Sequence, residues 1–194
     1  MKITEKKAQK EKKIIEVATR LFADKGYQNT TIEEIAKEAK IAKGTIYLYF
    51  NDKQQLFQNI VKELSHEHEK NQLKIHEYKE WEDKLYQYIL LQLKFFQDNV
   101  YLARISLKEM YGLDKAAAEI VYKALDRHIN LLTAIIRGGI KDGVFTPVDE
   151  RKTAIAFMGM VNYYIVYEFL ESAERNLEET ADFLLNLFLK GLAN

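Results

Sequence analysis

The stretch from Thr31 to Phe50 constrains the fold of this chain most tightly, because it reads as two short helices with a break between them. Thr31 and Glu34 have the spacing of a capping box, in which each side chain binds an orphan backbone N–H group at a helix start. A second helix is predicted from about Lys43 to Phe50, and it buries only Ile46 and Phe50. Its other positions expose two tyrosines, a threonine and a lysine. This pattern indicates a helix-turn-helix, whose second helix enters the major groove of DNA.

The composition favours an all-α protein. The 194 residues include one proline and eight glycines, and no stretch alternates apolar and polar residues for long. There is no cysteine, which excludes disulfides, thiolate metal sites and cysteine nucleophiles. The first residues lack the apolar region of a signal peptide, and no run reaches the ~18 apolar residues that predict a membrane span. We therefore predict a cytoplasmic protein with no membrane partner.

The net charge is zero, but the charges are unevenly distributed. Residues 1–53, which we call the head, hold twelve Lys and Arg against eight Asp and Glu, a net charge of +4. Residues 54–194, the body, hold seventeen against twenty-one, a net charge of −4. A basic head on an acidic body predicts that only the head meets a polyanion. Ordinary variation in surface charge is the alternative explanation.

Further helices are predicted before and after the central stretch. The first runs from Thr4 or Glu5 to Asp24, with Gly26 as its stop. Asp52 is expected to cap a fourth helix that continues well into the body.

In the body, a later helix is predicted from Ala116 to Ile136. Gly138, Gly139 and Gly143 are expected to form a loop, and Pro147 is expected to open the next helix in its first turn.

The histidines do not have the spacing of a metal site. His66 and His68 are two residues apart, about 200° around a helix, so they cannot bind one metal from the same face. We predict no metal site and no cofactor. His128 lies in an apolar stripe, where it is either a hydrogen-bonded core residue or a polar anchor in a ligand pocket.

The last two helices carry more apolar surface than one chain of this size needs to bury. The segment 154–170 is apolar nearly all round, but Asn162 and Glu168 interrupt it, so it is not a membrane span. The final helix has leucines on one face and Phe183 and Leu187 on another. We predict a dimer interface of four helices, two from each subunit.

Residues 10–57 resemble the DNA-binding domain of the tetracycline-repressor (TetR) family of bacterial regulators. The match holds in register across three helices and the start of a fourth, at Leu21-Phe22, Gly26-Tyr27, Thr30-Thr31-Ile32, Ile35-Ala36, Ala39, Lys43 to Phe50, Lys53 and Leu56-Phe57. The resemblance implies an N-terminal helix-turn-helix domain over residues 1–53. It also implies a helical ligand-binding and dimerisation domain over residues 54–194, dimerising through its last two helices.

The same resemblance assigns DNA contacts to individual residues. Thr30 and Thr31 would meet a phosphate at a helix N-terminus, and Lys53 another phosphate. The recognition helix would contribute the residues facing bases and backbone, which are Lys43, Gly44, Thr45, Tyr47, Leu48 and Tyr49.

The turn between the two central helices departs from the family pattern in two places. Lys40 stands where the family usually has glycine, and a left-handed lysine would cost ~1 kcal/mol relative to glycine. Ala42 replaces the usual serine cap, whose hydroxyl is worth ~1 kcal/mol. Both departures fall where the recognition helix begins.

The sequence predicts a homodimeric DNA-binding transcription regulator. By the resemblance, it is a repressor that a small-molecule effector releases from a palindromic operator in double-stranded DNA. The alternatives are an all-helical protein-interaction module and a helical enzyme. Aromatic and polar residues of the body suggest an apolar or aromatic ligand, with candidate contacts at Trp81, Tyr88, Phe96, Tyr101, Tyr111, His128, Phe157, Tyr163 and Tyr167.

Overall fold

A computed structural model describes residues 2–99, 115–171 and 176–191, and these residues contain helices and no β-strand. The predicted all-α class is confirmed, with a helix-turn-helix at the N-terminus and further helices after it. None of the helices in these ranges is long and apolar enough to cross a membrane. The helices are α1 (Lys2–Lys25), α2 (Ile32–Ala39), α3 (Lys43–Tyr47), α4 (Lys53–Gln72), a 3₁₀ turn (Leu73–Glu77), α5 (Trp81–Asp98), α6 (Lys115–Lys141), α7 (Glu150–Glu171) and α8 (Leu177–Leu189).

The described residues divide into two compact units. The first holds residues 2–64 and 115–121, and the second holds 65–99, 122–171 and 176–191. The boundary falls within α4, eleven residues beyond the head boundary expected from the sequence, since 64 − 53 = 11. Helix α4 therefore contributes side chains to both units.

The first unit is organised around three aromatic rings. Phe22, Tyr27 and Phe57 lie with ring centroids 4.9–5.6 Å apart, the spacing at which tilted and edge-on aromatic pairs are favourable. Apolar residues of four helices surround them, including Ile35 and Ile46, both fully buried. This core fixes α2 and α3 against α1 and the start of α4.

The turn between α2 and α3 has the geometry that its unusual residues predict. Lys40 adopts a left-handed conformation, with φ 57° and ψ 45°, and its backbone N–H caps the end of α2. Ala42 stands at the N-cap of α3 in an extended conformation, and no side chain caps that helix. Helix α3 begins at Lys43, as expected.

Helix α3 is shorter than predicted, because it ends at Tyr47 rather than Phe50. The next two backbone N–H groups bond to carbonyls only three residues earlier. Leu48 donates to the Thr45 carbonyl at 3.2 Å, and Tyr49 donates to the Ile46 carbonyl at 2.9 Å. Such i to i+3 bonds are typical of a helix end that tightens into a turn. The exposed Leu48 therefore lies on this final turn.

The ends of two helices in the second unit also differ from the sequence expectation. Helix α6 continues through Gly138 and Gly139, which were expected to form a loop. A Cβ atom at Gly138 would lie 2.2 Å from the Trp81 ring, so the glycine allows this ring to pack directly on the helix. Helix α7 begins at Glu150 rather than at Pro147, because the Asp149 side chain binds the first turn.

Helices α7 and α8 pack beside α5 in the second unit. Their other sides leave a row of apolar residues exposed. On α7 the row recurs at every fourth position, at Ile155, Gly159, Tyr163 and Tyr167. On α8, Phe183 and Leu187 are more than half exposed. We call these six residues the apolar face.

Candidate nucleic-acid interface and buried polar cluster

The candidate recognition helix presents a compact exposed surface. Tyr47 is 44% exposed and Leu48 is 78% exposed. Lys43 and Gly44 lie beside them and are also exposed, whereas Thr45 and Tyr49 are half-buried. A Cβ atom added to Gly44 would meet no atom within 4 Å, so nothing in the protein itself requires glycine there. The close approach of another molecule remains a reason for it.

Lys43 already has an anionic partner within the protein. Its ammonium forms an ion pair with Glu33 of α2 and lies 5.7 Å from the centroid of the Tyr47 ring. This pairing lowers the pKa of Glu33 and raises that of Lys43. Both side chains are about half exposed, so the pair orients Lys43 more than it stabilises the fold.

The two threonines at the start of α2 have different environments. Thr31 is exposed and completes the predicted capping box, with its hydroxyl 3.2 Å from the Glu34 backbone nitrogen. Thr30 is fully buried, and its hydroxyl donates to the Gly26 carbonyl at 2.9 Å, with the Leu21 carbonyl oxygen also 3.2 Å away. Of these two threonines, only Thr31 therefore presents its side chain at the surface of the first unit.

Lys53 lies against the loop between α1 and α2. Its ammonium donates to the carbonyls of Tyr27 at 2.8 Å and Thr30 at 2.9 Å, with a longer contact to Gln28 at 3.4 Å. The same ammonium lies 4.4 Å from the centroid of the Tyr27 ring. An ammonium has three N–H donors, so these contacts use its hydrogen-bonding capacity within the protein.

The structure brings together three of the nine residues proposed to contact a ligand. Tyr88 and Phe157 are fully buried with ring centroids 5.8 Å apart, and His128 lies 3.2 Å from the Tyr88 hydroxyl. Phe96 is half-buried against Phe95.

The other candidates lie elsewhere in the second unit or outside the described residues. Trp81 packs on Gly138 and donates to Asp142, while Tyr163 and Tyr167 belong to the exposed apolar face. Tyr101 and Tyr111 lie outside the described residues.

His128 is part of a buried polar cluster that the sequence reasoning did not assemble. The other members are His68 and Gln72 of α4 and Tyr88 and Gln92 of α5, and all five side chains are at most 8% exposed. The signal that was missed is the four-residue spacing of Tyr88 and Gln92 inside the apolar helix α5, whereas His68 and Gln72 lie in a polar stretch of α4 that gives no such signal. We call these five residues the polar cluster.

Two family models together match most of the chain. Residues 14–60 match bacterial regulatory proteins of the tetR family, and residues 78–192 match the tetracyclin repressor-like C-terminal domain. The second match alone covers more than half of the sequence. The chain belongs to the TetR family. It is thus a DNA-binding transcription regulator and not an enzyme.

Full-length relatives of this TetR-family regulator agree with that assignment. The uncharacterized HTH-type transcriptional regulator YhgD of Bacillus subtilis is 28% identical over 194 residues, covering 95% of this chain and 97% of the relative. The fatty acid metabolism regulator protein of the same organism is 25% identical over 183 residues, covering 93% and 94%. The structure of FadR from Bacillus subtilis in complex with stearoyl-CoA has a TM-score of 0.80 at 24% identity, covering 93% of this chain and 98% of that chain.

Replacing Lys53 with Met tests whether this lysine holds the loop or binds phosphate. We expect the variant to lose about 1–2 kcal/mol of stability, because the carbonyls of Tyr27 and Thr30 lose a charged donor. We expect the salt dependence of DNA binding to stay unchanged. If Lys53 bound a phosphate, its loss would reduce the slope of log K against log salt concentration by about 0.9. Urea denaturation and DNA binding at several salt concentrations measure the two effects, and Lys62→Met, at an exposed position of α4, is the matched control.

The buried histidines predict a loss of stability in mild acid. Burial lowers the pKa of His68 to about 3 and that of His128 to about 4, from 6.5. The unfolded chain therefore binds more protons than the folded chain below pH 6.5, and stability falls as the pH drops. We expect the melting temperature to fall between pH 7 and pH 5 in the wild type, and less so in His68→Phe. An equally steep profile in His68→Phe would contradict this, and the exposed His66→Gln should match the wild type.

Proposed function

We propose that this TetR-family protein is a homodimeric repressor that binds a palindromic operator through one head from each subunit. The observation that carries the proposal is the exposed surface of α3 and its final turn. Lys43, Tyr47 and Leu48 are exposed there, while Ile46 and Phe50 of the same segment pack in the core. Two heads related by a dimer axis would read two half-sites in successive major grooves.

The proposed contacts follow from where each side chain lies. Lys43, Tyr47 and Leu48 would face base edges or the sugar–phosphate backbone, and Gly44 would allow close approach. Thr31 and the N-terminus of α2 would bind a phosphate. Thr45 and Tyr49 would add contacts from half-buried positions.

For two of the residues assigned from the sequence, we propose an indirect role. Thr30 and Lys53 would hold the loop before α2, and so would position the N-terminus of α2 for its phosphate.

The apolar face supports dimerisation through α7 and α8. Aromatic and aliphatic side chains recur along one side of each helix while their opposite sides pack in the second unit. Leaving such a surface in water is unfavourable by roughly 25 cal/mol for each Å² of apolar area. Two copies meeting across a two-fold axis would bury it in a bundle of four helices.

We propose that an apolar effector bound in the body releases the operator, and that its class is a fatty acyl thioester of coenzyme A. Support comes from the full-length similarity to the fatty acid metabolism regulator protein and from the fold shared with FadR bound to stearoyl-CoA. The buried aromatic side chains of Tyr88 and Phe157 would provide apolar contact for an acyl chain.

Selection of bound duplexes from a random DNA pool, with and without stearoyl-CoA, tests the proposal. We expect an enriched palindrome, affinity that falls steeply with salt, and release by micromolar stearoyl-CoA but not by coenzyme A alone. Enrichment of a single half-site would overturn the dimeric operator. An unchanged selection in the presence of stearoyl-CoA would overturn the effector class while leaving DNA binding in place.

A further inference from the structure

The polar cluster has more hydrogen-bonding groups than its central atom can satisfy. Three groups converge on Nδ1 of His128: the Gln72 amide at 2.8 Å, the Gln92 amide at 3.0 Å and the Tyr88 hydroxyl at 3.2 Å. An imidazole nitrogen offers either one lone pair or one proton, so it makes one full hydrogen bond. Exchanging the nitrogen and oxygen of either carboxamide does not change this limit.

Other contacts within the cluster use only part of the remaining capacity. The Gln72 amide also reaches Nε2 of His68 at 3.3 Å, and Tyr88 hydrogen-bonds the Gln92 side chain. Each of the three groups therefore has one other partner, and the second N–H of each carboxamide competes with the Tyr88 O–H for the ring nitrogen. Buried polar groups in folded proteins are nearly always satisfied, so donors that compete for one nitrogen would gain from a further acceptor. A ligand atom that accepts the spare N–H and O–H donors provides one.

The cluster is uncharged, which limits the kind of ligand atom it suits. Its hydrogen bonds join carboxamide, phenol and imidazole groups only. Burial lowers the pKa of both histidines far below neutrality, so neither ring supplies a positive charge at pH 7. A carboxylate or phosphate placed here would lose its water without gaining an ionic partner. A carbonyl oxygen accepts the same donors at far smaller desolvation cost.

The aromatic rings of Phe95 and Phe157 lie next to the cluster. The His68 ring lies 4.1 Å from the Phe95 ring, and the Tyr88 ring lies 5.8 Å from that of Phe157. A ligand whose carbonyl lies at the cluster would therefore have apolar contacts for the chain attached to it. Small-molecule sites are usually composed in this way, with a few polar groups among aromatic side chains.

We infer that the polar cluster recognises an uncharged carbonyl oxygen of the effector, namely the thioester carbonyl of an acyl chain. The inference rests on the proposed function, because it names the group by which that effector would be read. Tyr88, Gln92 and Gln72 are the hydrogen-bond donors, and the neutral His128 orients them. The cluster thereby distinguishes an acyl thioester from an alkyl chain of equal length and from a free fatty acid.

Two coenzyme A derivatives test the inference directly. Stearoyl-CoA and the octadecyl thioether of coenzyme A have the same chain length and charge, and they differ only in the carbonyl oxygen. We expect the wild type to bind stearoyl-CoA about tenfold more tightly than the thioether, as measured by calorimetry. A factor of about ten is what one additional hydrogen bond to the ligand contributes. We also expect methyl decanoate to bind more tightly than decanoate.

Variants locate the preference within the cluster. Tyr88→Phe and Gln92→Met each remove a donor with little change in volume, and we expect either to reduce the preference for stearoyl-CoA below threefold. Binding of the thioether should stay unchanged in both. Tyr86→Phe is the matched control, because it removes a phenol from the same helix at a half-buried position outside the cluster, and it should keep the tenfold preference.

The outcomes separate this inference from the proposed function. Equal binding of the two derivatives by the wild type, or tighter binding of decanoate than of its methyl ester, overturns carbonyl recognition and leaves the effector class standing. A loss of preference in Tyr86→Phe as large as in Tyr88→Phe also overturns it. Failure of both derivatives to bind, with operator binding intact, overturns the effector class and this inference together.

A measurement without ligand gives an independent check. Because the Tyr88 hydroxyl shares its acceptor, its removal should leave the melting temperature unchanged or slightly raised. A fall of more than about 4 °C in Tyr88→Phe would show that the hydroxyl is fully satisfied without a ligand, and would overturn the inference.

Discussion

Replacing Phe22 with Ala is expected to abolish operator binding by unfolding the helix-turn-helix. Phe22 is fully buried and contacts the rings of Tyr27 and Phe57, so its removal leaves a cavity at the centre of the first unit. Truncating a buried phenylalanine costs about 3–5 kcal/mol. That loss is a large fraction of the 5–15 kcal/mol or so by which domains are stable. Denaturant titration and duplex binding measure the two consequences.

Leu48→Ala is the matched control, because it also truncates a large apolar side chain of the first unit. Leu48 is 78% exposed, so its removal should change stability by less than about 0.5 kcal/mol. If Leu48 contacts DNA, this variant weakens operator binding without unfolding. A Phe22→Ala protein that unfolds at the wild-type denaturant concentration would contradict the assigned core.

Introducing a charge at Tyr163 is expected to separate the proposed dimer. Tyr163 is 75% exposed at the middle of the α7 row, where two-fold symmetry would bury two copies in one interface. Burying an unpaired carboxylate is costly, and Tyr163→Glu introduces two of them per dimer. We expect the dimer dissociation constant to rise at least about 100-fold, equivalent to about 2.7 kcal/mol. Analytical ultracentrifugation measures the change, and affinity for a full palindrome should fall towards that for one half-site.

Tyr122→Glu makes the same substitution at a similarly exposed position. Tyr122 lies on α6 and is 70% exposed, outside the apolar face. It should leave both the oligomeric state and operator binding as in the wild type. Dissociation by both variants, or by neither, would show that the apolar face is not the dimer interface.

The helix-turn-helix could be predicted closely because its determinants are local. The capping box of Thr31 and Glu34 and the left-handed Lys40 depend on residues a few positions apart. The end of α3 could not be placed, because apolar spacing of four residues between Ile46 and Phe50 persists through the tight turn that closes the helix. Periodicity therefore located the element and overestimated its length.

The environments of Lys53 and of the polar cluster could not be predicted, since both depend on tertiary contacts. Lys53 meets carbonyls more than twenty residues away, and nothing adjacent to it in sequence signals this. Likewise, His68 and His128 come together from α4 and α6 with ring centroids 4.7 Å apart. In the sequence, His68 is one histidine in a polar stretch, and only the fold shows that it is buried.

The ion pair between Glu33 and Lys43 has a consequence for how the protein searches DNA. A lysine with an internal anion must exchange that partner for a phosphate, so a non-specific encounter gains less from Lys43 than from a free cation. At the operator, the neighbouring contacts of Tyr47 and Leu48 would compensate for the exchange. If Lys43 contacts DNA as proposed, Glu33 would shorten the time spent on random sequence, and we expect Glu33→Gln to bind non-specific DNA more tightly and to search it more slowly.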